Sequence, residues 1–152
     1  MPDSSTPPSR TPLSPRGRAL RQAVLALRQE HRGWTFPARL RVGVVARSQV
    51  ELTITDAPGP DPALRADVVD ALVEHALVRA ALPHDETGDG WVLRAGALLP
   101  DEEECAWLHE VDRAVRLRGL LAPHLLLITK TGWYDLRDGS SKTWKRLRER
   151  RA

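Results

Sequence analysis

The stretch from residue 130 to residue 152 combines aromatic side chains with a high density of positive charge. It holds eight Lys and Arg against three acidic residues, and Trp133, Tyr134 and Trp144 lie among them. Aromatic rings stack on nucleobases while cations contact phosphates, so the pattern is typical of nucleic-acid binding. The alternative is that the two Trp pack on a sheet and the cations solubilise one end of the chain. The residues predicted to contact DNA or RNA are Arg137, Lys142, Trp144, Lys145, Arg146, Arg148 and Arg150.

The net charge of +3 conceals three blocks of different sign. Residues 1–41 carry a net +6, residues 42–129 carry −8 and residues 130–152 carry +5. Twenty of the 23 cations are Arg, whose planar guanidinium suits phosphate, although a GC-rich coding genome also produces many Arg. If the two basic ends meet in space, further arginines would extend the basic patch: Arg16, Arg18, Arg21, Arg28, Arg39 and Arg41.

The same segregation of charge supports a second hypothesis. An acidic middle and basic ends suit a protein-interaction module or an inhibitor, whose partner is another protein or a second copy of this chain. Both hypotheses describe a protein without enzymatic activity.

The chemistry expected of an enzyme has no support in the sequence. Cys105 and His109 are four residues apart on a predicted helix, a spacing at which a nucleophilic pair can meet. However, Cys105 lies on the apolar stripe and follows three glutamates, which raise the pKa of a thiol. A buried structural cysteine is therefore the favoured interpretation. The sequence also lacks a Gly-rich phosphate loop and a G-x-S-x-G motif, so no catalytic residue is predicted.

Two clusters of potential metal ligands have no recognised ligand spacing. They are residues 84–86 (His-Asp-Glu) and residues 101–104 (Asp-Glu-Glu-Glu). A solvated loop and the first turn of a helix explain them better, so neither a metal nor a cofactor is predicted.

The composition predicts a soluble, cytoplasmic protein that does not contact a membrane. No run of 18 apolar residues is present, and the N-terminus lacks the basic-then-apolar order of a secretory signal. A single cysteine excludes a disulfide framework.

The pattern of polar and apolar residues predicts a single α+β domain. Helices should begin at Ser14-Pro15, at Asp61-Pro62 and at the capping box of Asp101 and Glu104. We expect an antiparallel sheet of two hairpins with the helices on one face. The order helix then hairpin occurs twice, over residues 15–55 and 101–136, which favours an internal repeat. The predicted parts are a disordered Pro/Ser-rich tail (1–14), the α+β domain (15–140) and a basic C-terminal segment (141–152).

The individual strands and ends follow from the same pattern. Strands are predicted in residues 39–55, joined through Ala46–Gln49, then at Trp91–Arg94, at the apolar run 125–129 and at 133–136. Pro83 is expected to end the second helix. Beyond Gly139 two alternatives are open: a basic helix capped by Ser141, or a strand over Lys142–Lys145 that turns into a frayed tail, which we favour.

The segment from Leu27 to Pro58 resembles a small "large polyvalent protein-associated" domain of phage and conjugative-element proteins. The resemblance implies a helix, two strands, a turn and a further helix. It also implies an accessory role on a mobile element, and it carries no catalytic residue. The residues that carry it are Leu27, Trp34, Phe36, Arg41, Ser48, Leu52 and the run Thr55-Asp56-Ala57-Pro58.

Overall fold

The computed structural model describes residues 12–33, 35–54 and 61–145. Over these residues, three helices alternate with six strands, so the chain has the α+β composition that the sequence predicts. The elements are α1 (Pro15–Glu30), β1 (Arg39–Val44), β2 (Ser48–Thr53), α2 (Pro62–Val78), β3 (Asp89–Leu93), α3 (Glu102–Leu117), β4 (His124–Thr129), β5 (Gly132–Asp135) and β6 (Ser141–Thr143).

The helices begin where capping residues predict. The Ser14 hydroxyl accepts a hydrogen bond from the Gly17 backbone N–H at 3.0 Å, ahead of α1. The Asp61 carboxylate caps α2 in the same way. Asp101 and Glu104 form a reciprocal capping box at α3, so each satisfies a backbone N–H that the first turn leaves unpaired.

Two turns differ from the predicted boundaries. α2 ends at Val78 rather than continuing to Pro83, because Ala80 adopts a left-handed conformation with φ of 54°. The first hairpin turns over residues 45–47, one residue earlier than predicted, and Ala46 has φ of 62°. Only a few per cent of residues other than glycine adopt this conformation, so an alanine in the sequence does not indicate a turn at either position.

The sheet is mixed rather than purely antiparallel. Its strand order is β2-β1-β3-β4-β5-β6. β3 pairs in parallel with β4, and the other neighbouring strands are antiparallel. Two parallel neighbours need a crossover connection, which α3 supplies between β3 and β4. The expected sheet of two hairpins is therefore wrong in its centre, where β3 separates the hairpin β1–β2 from β4 and β5.

Helices cover both faces of the sheet, so the expectation of helices on one face is also wrong. On one face, α2 and α3 pack against Val92, Leu125 and Leu127. On the other face, α1 packs against alternate residues of the same strands, such as Trp91 and Leu126. The five residues of β3 are all buried, because successive side chains enter cores on opposite sides. The repeat of helix and hairpin stays a prediction.

The C-terminal part of the described chain is extended, as the favoured alternative predicts. β6 pairs with β5 through Thr143 opposite Gly132, so the start of the basic segment is part of the sheet. The tail that the sequence predicts to be disordered, residues 1–14, falls mostly on residues 1–11, which lie outside the described residues, as do Trp34, residues 55–60 and residues 146–152. No helix of the described ranges is long and apolar enough to cross a membrane.

A buried carboxylate connects α1 to the first hairpin. Asp89 is 1% exposed, and its Oδ2 accepts a hydrogen bond from the Val45 backbone N–H at 2.9 Å. The Arg16 guanidinium lies 3.0 Å from Oδ1, as an ion pair rather than an aligned hydrogen bond. Asp89 of β3 therefore contacts both α1 and the first hairpin, which are distant from it in sequence.

Replacing this carboxylate should destabilise the fold. In Asp89→Ala, the buried Val45 N–H loses its acceptor, and we expect the free energy of unfolding to fall by about 1–3 kcal/mol. Urea denaturation followed by circular dichroism measures the change. Asp85→Ala, in an exposed loop, is the matched control and should alter stability by less than about 0.5 kcal/mol. Equal stability of the two variants would contradict the role given to Asp89.

Candidate functional site

Both basic ends of the described chain border one cleft. The C-terminal end of α1, the turn between β4 and β5, and the residues that follow β6 enclose a volume of about 640 Å³. Four of the seven lining residues are cations, and none of the seven is acidic. The lining residues are Arg28, Arg32, Lys130, Thr131, Thr143, Trp144 and Lys145.

Arg28 connects the walls of this cleft, which we call the basic cleft. Its Nε donates to the Lys130 carbonyl oxygen at 2.5 Å, and its Nη2 donates to the Trp144 carbonyl oxygen at 3.1 Å. Lys130 reaches back across the cleft, because its Nζ donates to the Gly33 carbonyl oxygen at 2.6 Å. Each bond joins parts of the chain that are about a hundred residues apart, so the cleft exists only in the folded protein.

The charges in the cleft are not neutralised within the described chain. The carbonyl oxygens that Arg28 and Lys130 contact carry no net charge. Neither these two cations nor Arg32 and Lys145 form an ion pair with a carboxylate of the described residues. Four like charges around one concave surface create a positive potential that attracts an anion.

Aromatic rings lie beside the cations. The Phe36 ring stacks on His31 with centroids 4.4 Å apart, and the Lys130 ammonium is 5.9 Å from the Phe36 ring centroid. On the strand side, the Lys142 ammonium lies 5.4 Å from the Trp144 ring centroid. The site therefore combines the two side-chain types that the sequence pattern singled out.

Comparisons with known proteins do not identify a relative of this chain. No family model, curated protein or solved structure matches it significantly. The geometry and charge of the basic cleft are therefore the observations from which a function is inferred.

The structure separates the residues that the sequence predicted as one interface. Trp144 and Lys145 line the basic cleft, and Lys142 lies over the Trp144 ring. Arg137 does not reach it, because its guanidinium donates to the Asp112 carboxylate of α3 and to the Pro123 carbonyl oxygen. The remaining predicted residues, Arg146, Arg148 and Arg150, lie outside the described residues.

Asp112 holds Arg137 against α3. Burial raises the pKa of the Asp112 carboxyl, but hydrogen bonds and charges from Arg116 and Arg137 outweigh it, so the pKa lies below its ordinary value. Asp112 is therefore ionised at neutral pH and forms an ion pair with the Arg137 guanidinium. The place of this arginine is explained by contacts within the fold.

Some arginines near the N-terminus line the cleft, whereas others form ion pairs elsewhere. Arg39 and Arg41 form ion pairs with Glu51, and Arg16 pairs with Asp89, so these three do not extend the basic patch. Arg28 lines the cleft as predicted. Arg32 also lines it and was not predicted, because it lies beyond the end of α1, where no helical periodicity indicates which residues share a face.

Two further residues of this region were not among the predicted contacts. Lys130 belongs to the basic stretch that the sequence singled out, but it was not named as a contact; it follows β4 directly and lies in the turn to β5. Phe36 lies in the segment between α1 and β1, beside the Lys130 ammonium. No periodic pattern marks either position, because both depend on how α1 packs against β4 and β5.

Part of the acidic charge of residues 42–129 forms local ion pairs. Arg118, directly after α3, contacts Asp70 and Glu74 of α2, and Arg113 contacts Asp70 and Glu110. These pairs join the two helices that cover the opposite face of the sheet from α1. Seven arginines cannot balance fifteen acidic residues, so this part of the chain keeps a net negative charge.

The remaining sequence candidates do not assemble into a chemical site. Burial raises the pKa of the Cys105 thiol, and the charges of Glu104, Asp101 and Glu102 raise it further, as predicted. Cys105 is only half-buried, which corrects the expectation that it fills the core; Trp107 does so, at 2% exposed. Within the described ranges, no group of three His, Cys, Asp or Glu is arranged to hold a metal ion.

Proposed function

We propose that this chain is a non-enzymatic accessory protein that binds DNA or RNA by holding phosphates in the basic cleft. The observation that carries the proposal is the set of four cations around one concavity, none of them paired with a carboxylate of the described residues. Arg and Lys at such positions release counterions from the nucleic-acid backbone on binding. Trp144 and Phe36 add apolar surface beside the phosphate contacts.

The proposed interface differs from the one predicted from the sequence. It keeps Trp144 and Lys145 of the cleft lining and Lys142 beside the Trp144 ring, and it replaces Arg137 with Arg28, Arg32 and Lys130. Arg146, Arg148 and Arg150 follow Lys145 directly in the sequence, so we include them as further phosphate contacts. The proposal thus unites the positive charge of both ends in one interface.

The competing hypothesis, a protein-interaction module that acts through segregated charge, has less support. Asp70 and Glu74 are bound by Arg118 within the fold, whereas the exposed Glu102 and Glu103 are available to a partner but do not line the cleft. A cytoplasmic location and an origin on a mobile element remain parts of the proposal, the latter through the resemblance of residues 27–58.

A salt titration of nucleic-acid binding tests the proposal. Fluorescence anisotropy with labelled single-stranded DNA, duplex DNA and single-stranded RNA would follow the affinity between about 20 and 300 mM NaCl. If four cations contact phosphates of a single strand, the logarithm of the affinity should fall against the logarithm of salt with a slope of about −3. Absence of binding to all three probes at the lowest salt would refute the proposal.

A variant with altered residues beyond Lys145 tests the extended interface. Arg146→Glu combined with Arg148→Glu should weaken binding equally for all nucleotide sequences, since phosphate contacts do not read bases. An unchanged affinity would restrict the interface to the described cleft.

A further inference from the structure

The shape of the basic cleft selects between the two forms of nucleic acid. Its volume of about 640 Å³ lies in the range of sites that enclose small molecules. The bases of a duplex are stacked inside the helix, and a duplex presents a broad convex surface that does not enter such a concavity. One or two nucleotides of an unpaired strand have the size and flexibility to enter.

Trp144 supplies a surface on which a base can stack. The indole is half-buried, packs against the core between α1 and the sheet, and lines the cleft. The exposed Lys142 ammonium lies 5.4 Å from the ring centroid. A cation–π contact of an exposed lysine is weaker than the stacking of a base on an aromatic ring. A base that arrives at the ring can therefore displace Lys142.

We infer that the basic cleft binds single-stranded nucleic acid, with one base stacked on Trp144 in the place of Lys142. This inference rests on the proposed function and names its ligand class. The displaced Lys142 ammonium then lies beside the strand, where it contacts a phosphate together with Lys145. Stacking on an aromatic ring and contacts to phosphates accept any base, so we expect weak dependence on nucleotide sequence.

Affinity measurements with matched probes test the inference. We expect the full-length protein to bind a single strand at least about tenfold more tightly than a duplex of the same length. Trp144→Leu should lower the affinity for the single strand about 5- to 50-fold and leave the salt slope unchanged, because stacking releases no counterions. Trp144→Phe retains a ring and should recover most of the affinity.

Controls separate stacking from folding and from charge. Thermal unfolding of Trp144→Leu shows whether loss of the indole also destabilises the fold. If it does, the affinity of Trp144→Phe, which keeps a ring in the same place, still tests the inference. Lys142→Met should reduce the salt slope by about one and preserve the preference for single strands. The emission of Trp144 alone is the difference between the fluorescence of the native protein and that of Trp144→Phe. We expect this emission to be quenched when the single strand binds.

The outcomes distinguish this inference from the proposed function. Absence of binding to every nucleic acid would refute both. Salt-dependent binding that is equal for single strand and duplex, or unchanged in Trp144→Leu and Trp144→Phe, would refute the stacking inference alone. A mononucleotide such as dTMP that competes as strongly as the labelled strand would also overturn it, since the cleft would then be a site for a small anion.

Discussion

Reversing the charge of Lys130 and Lys145 together is expected to lower the affinity for single-stranded DNA about 100-fold at low salt. Each ammonium lines the basic cleft, where it contributes a charge-assisted contact worth about 1.5 kcal/mol or more. Two lost contacts amount to about 3 kcal/mol, which is about two orders of magnitude in affinity. Glutamates at these positions also repel the phosphates, and because salt screens both the repulsion and the native contacts, the difference in affinity should shrink as salt rises. Fluorescence anisotropy measures the effect.

A second pair of variants controls for folding and for net charge. Lys130→Gln with Lys145→Gln removes charge without adding repulsion, so its affinity should lie between those of the native protein and the reversed variant. Arg79→Glu with Arg116→Glu changes the net charge equally at two exposed positions, one directly after α2 and one in α3, and these helices cover the opposite face of the sheet from α1. If this distant variant loses as much affinity as the cleft variant, net charge rather than the cleft determines binding.

Gly132→Val is expected to remove most of the binding activity without altering a charge. A Cβ at Gly132 would lie 2.0 Å from the Lys142 carbonyl oxygen and 2.9 Å from the Thr143 Cα, both backbone atoms of β6. Because neither atom can yield without moving the strand, β6 must separate from β5. The cleft then loses the wall that carries Trp144 and Lys145, and we expect a loss of affinity of at least about tenfold.

The fold itself should survive this substitution. The larger core, beneath α2 and α3, includes no residue of β6. Circular dichroism should therefore retain the native secondary structure, while hydrogen exchange should reveal loss of the 2.8 Å bond from the Trp144 N–H to the Thr131 carbonyl oxygen. Ala71→Val is the control, since it adds a branched side chain at an exposed position of α2, away from the residues that line the cleft. Native affinity in Gly132→Val would show that binding does not require β6.

Local patterns predicted the elements of this fold more completely than their arrangement. Ser14-Pro15 and the pair Asp101 and Glu104 mark helix starts because a cap is made by residues that are neighbours in sequence. The apolar run of β4 predicts a strand buried on both faces. Such signals depend on a few consecutive residues, so one sequence is enough to find them.

The parts that could not be predicted depend on contacts between distant residues. No local pattern in Asp89–Leu93 predicts that β3 lies between β1 and β4, or that it pairs in parallel with β4. The basic cleft likewise depends on contacts between residues that are distant in sequence. Trp144 and Lys145 were identified from local composition, whereas Arg32 and Lys130 join them only because α1 packs against β4 and β5. Arg137 lies away from the cleft for the converse reason, since its partner Asp112 belongs to another element.

The long separation between the two walls of the cleft has a consequence for synthesis on the ribosome. Arg28 bonds to carbonyl groups 102 and 116 residues further along the chain. Because a polypeptide emerges from its N-terminus, α1 leaves the exit tunnel long before β4 and β5 exist to receive it. Its apolar face, with Leu20, Val24 and Leu27, stays without its partners until β4 and β5 have been synthesised. A nascent chain that has not reached Lys145 therefore cannot bind an anion in this cleft.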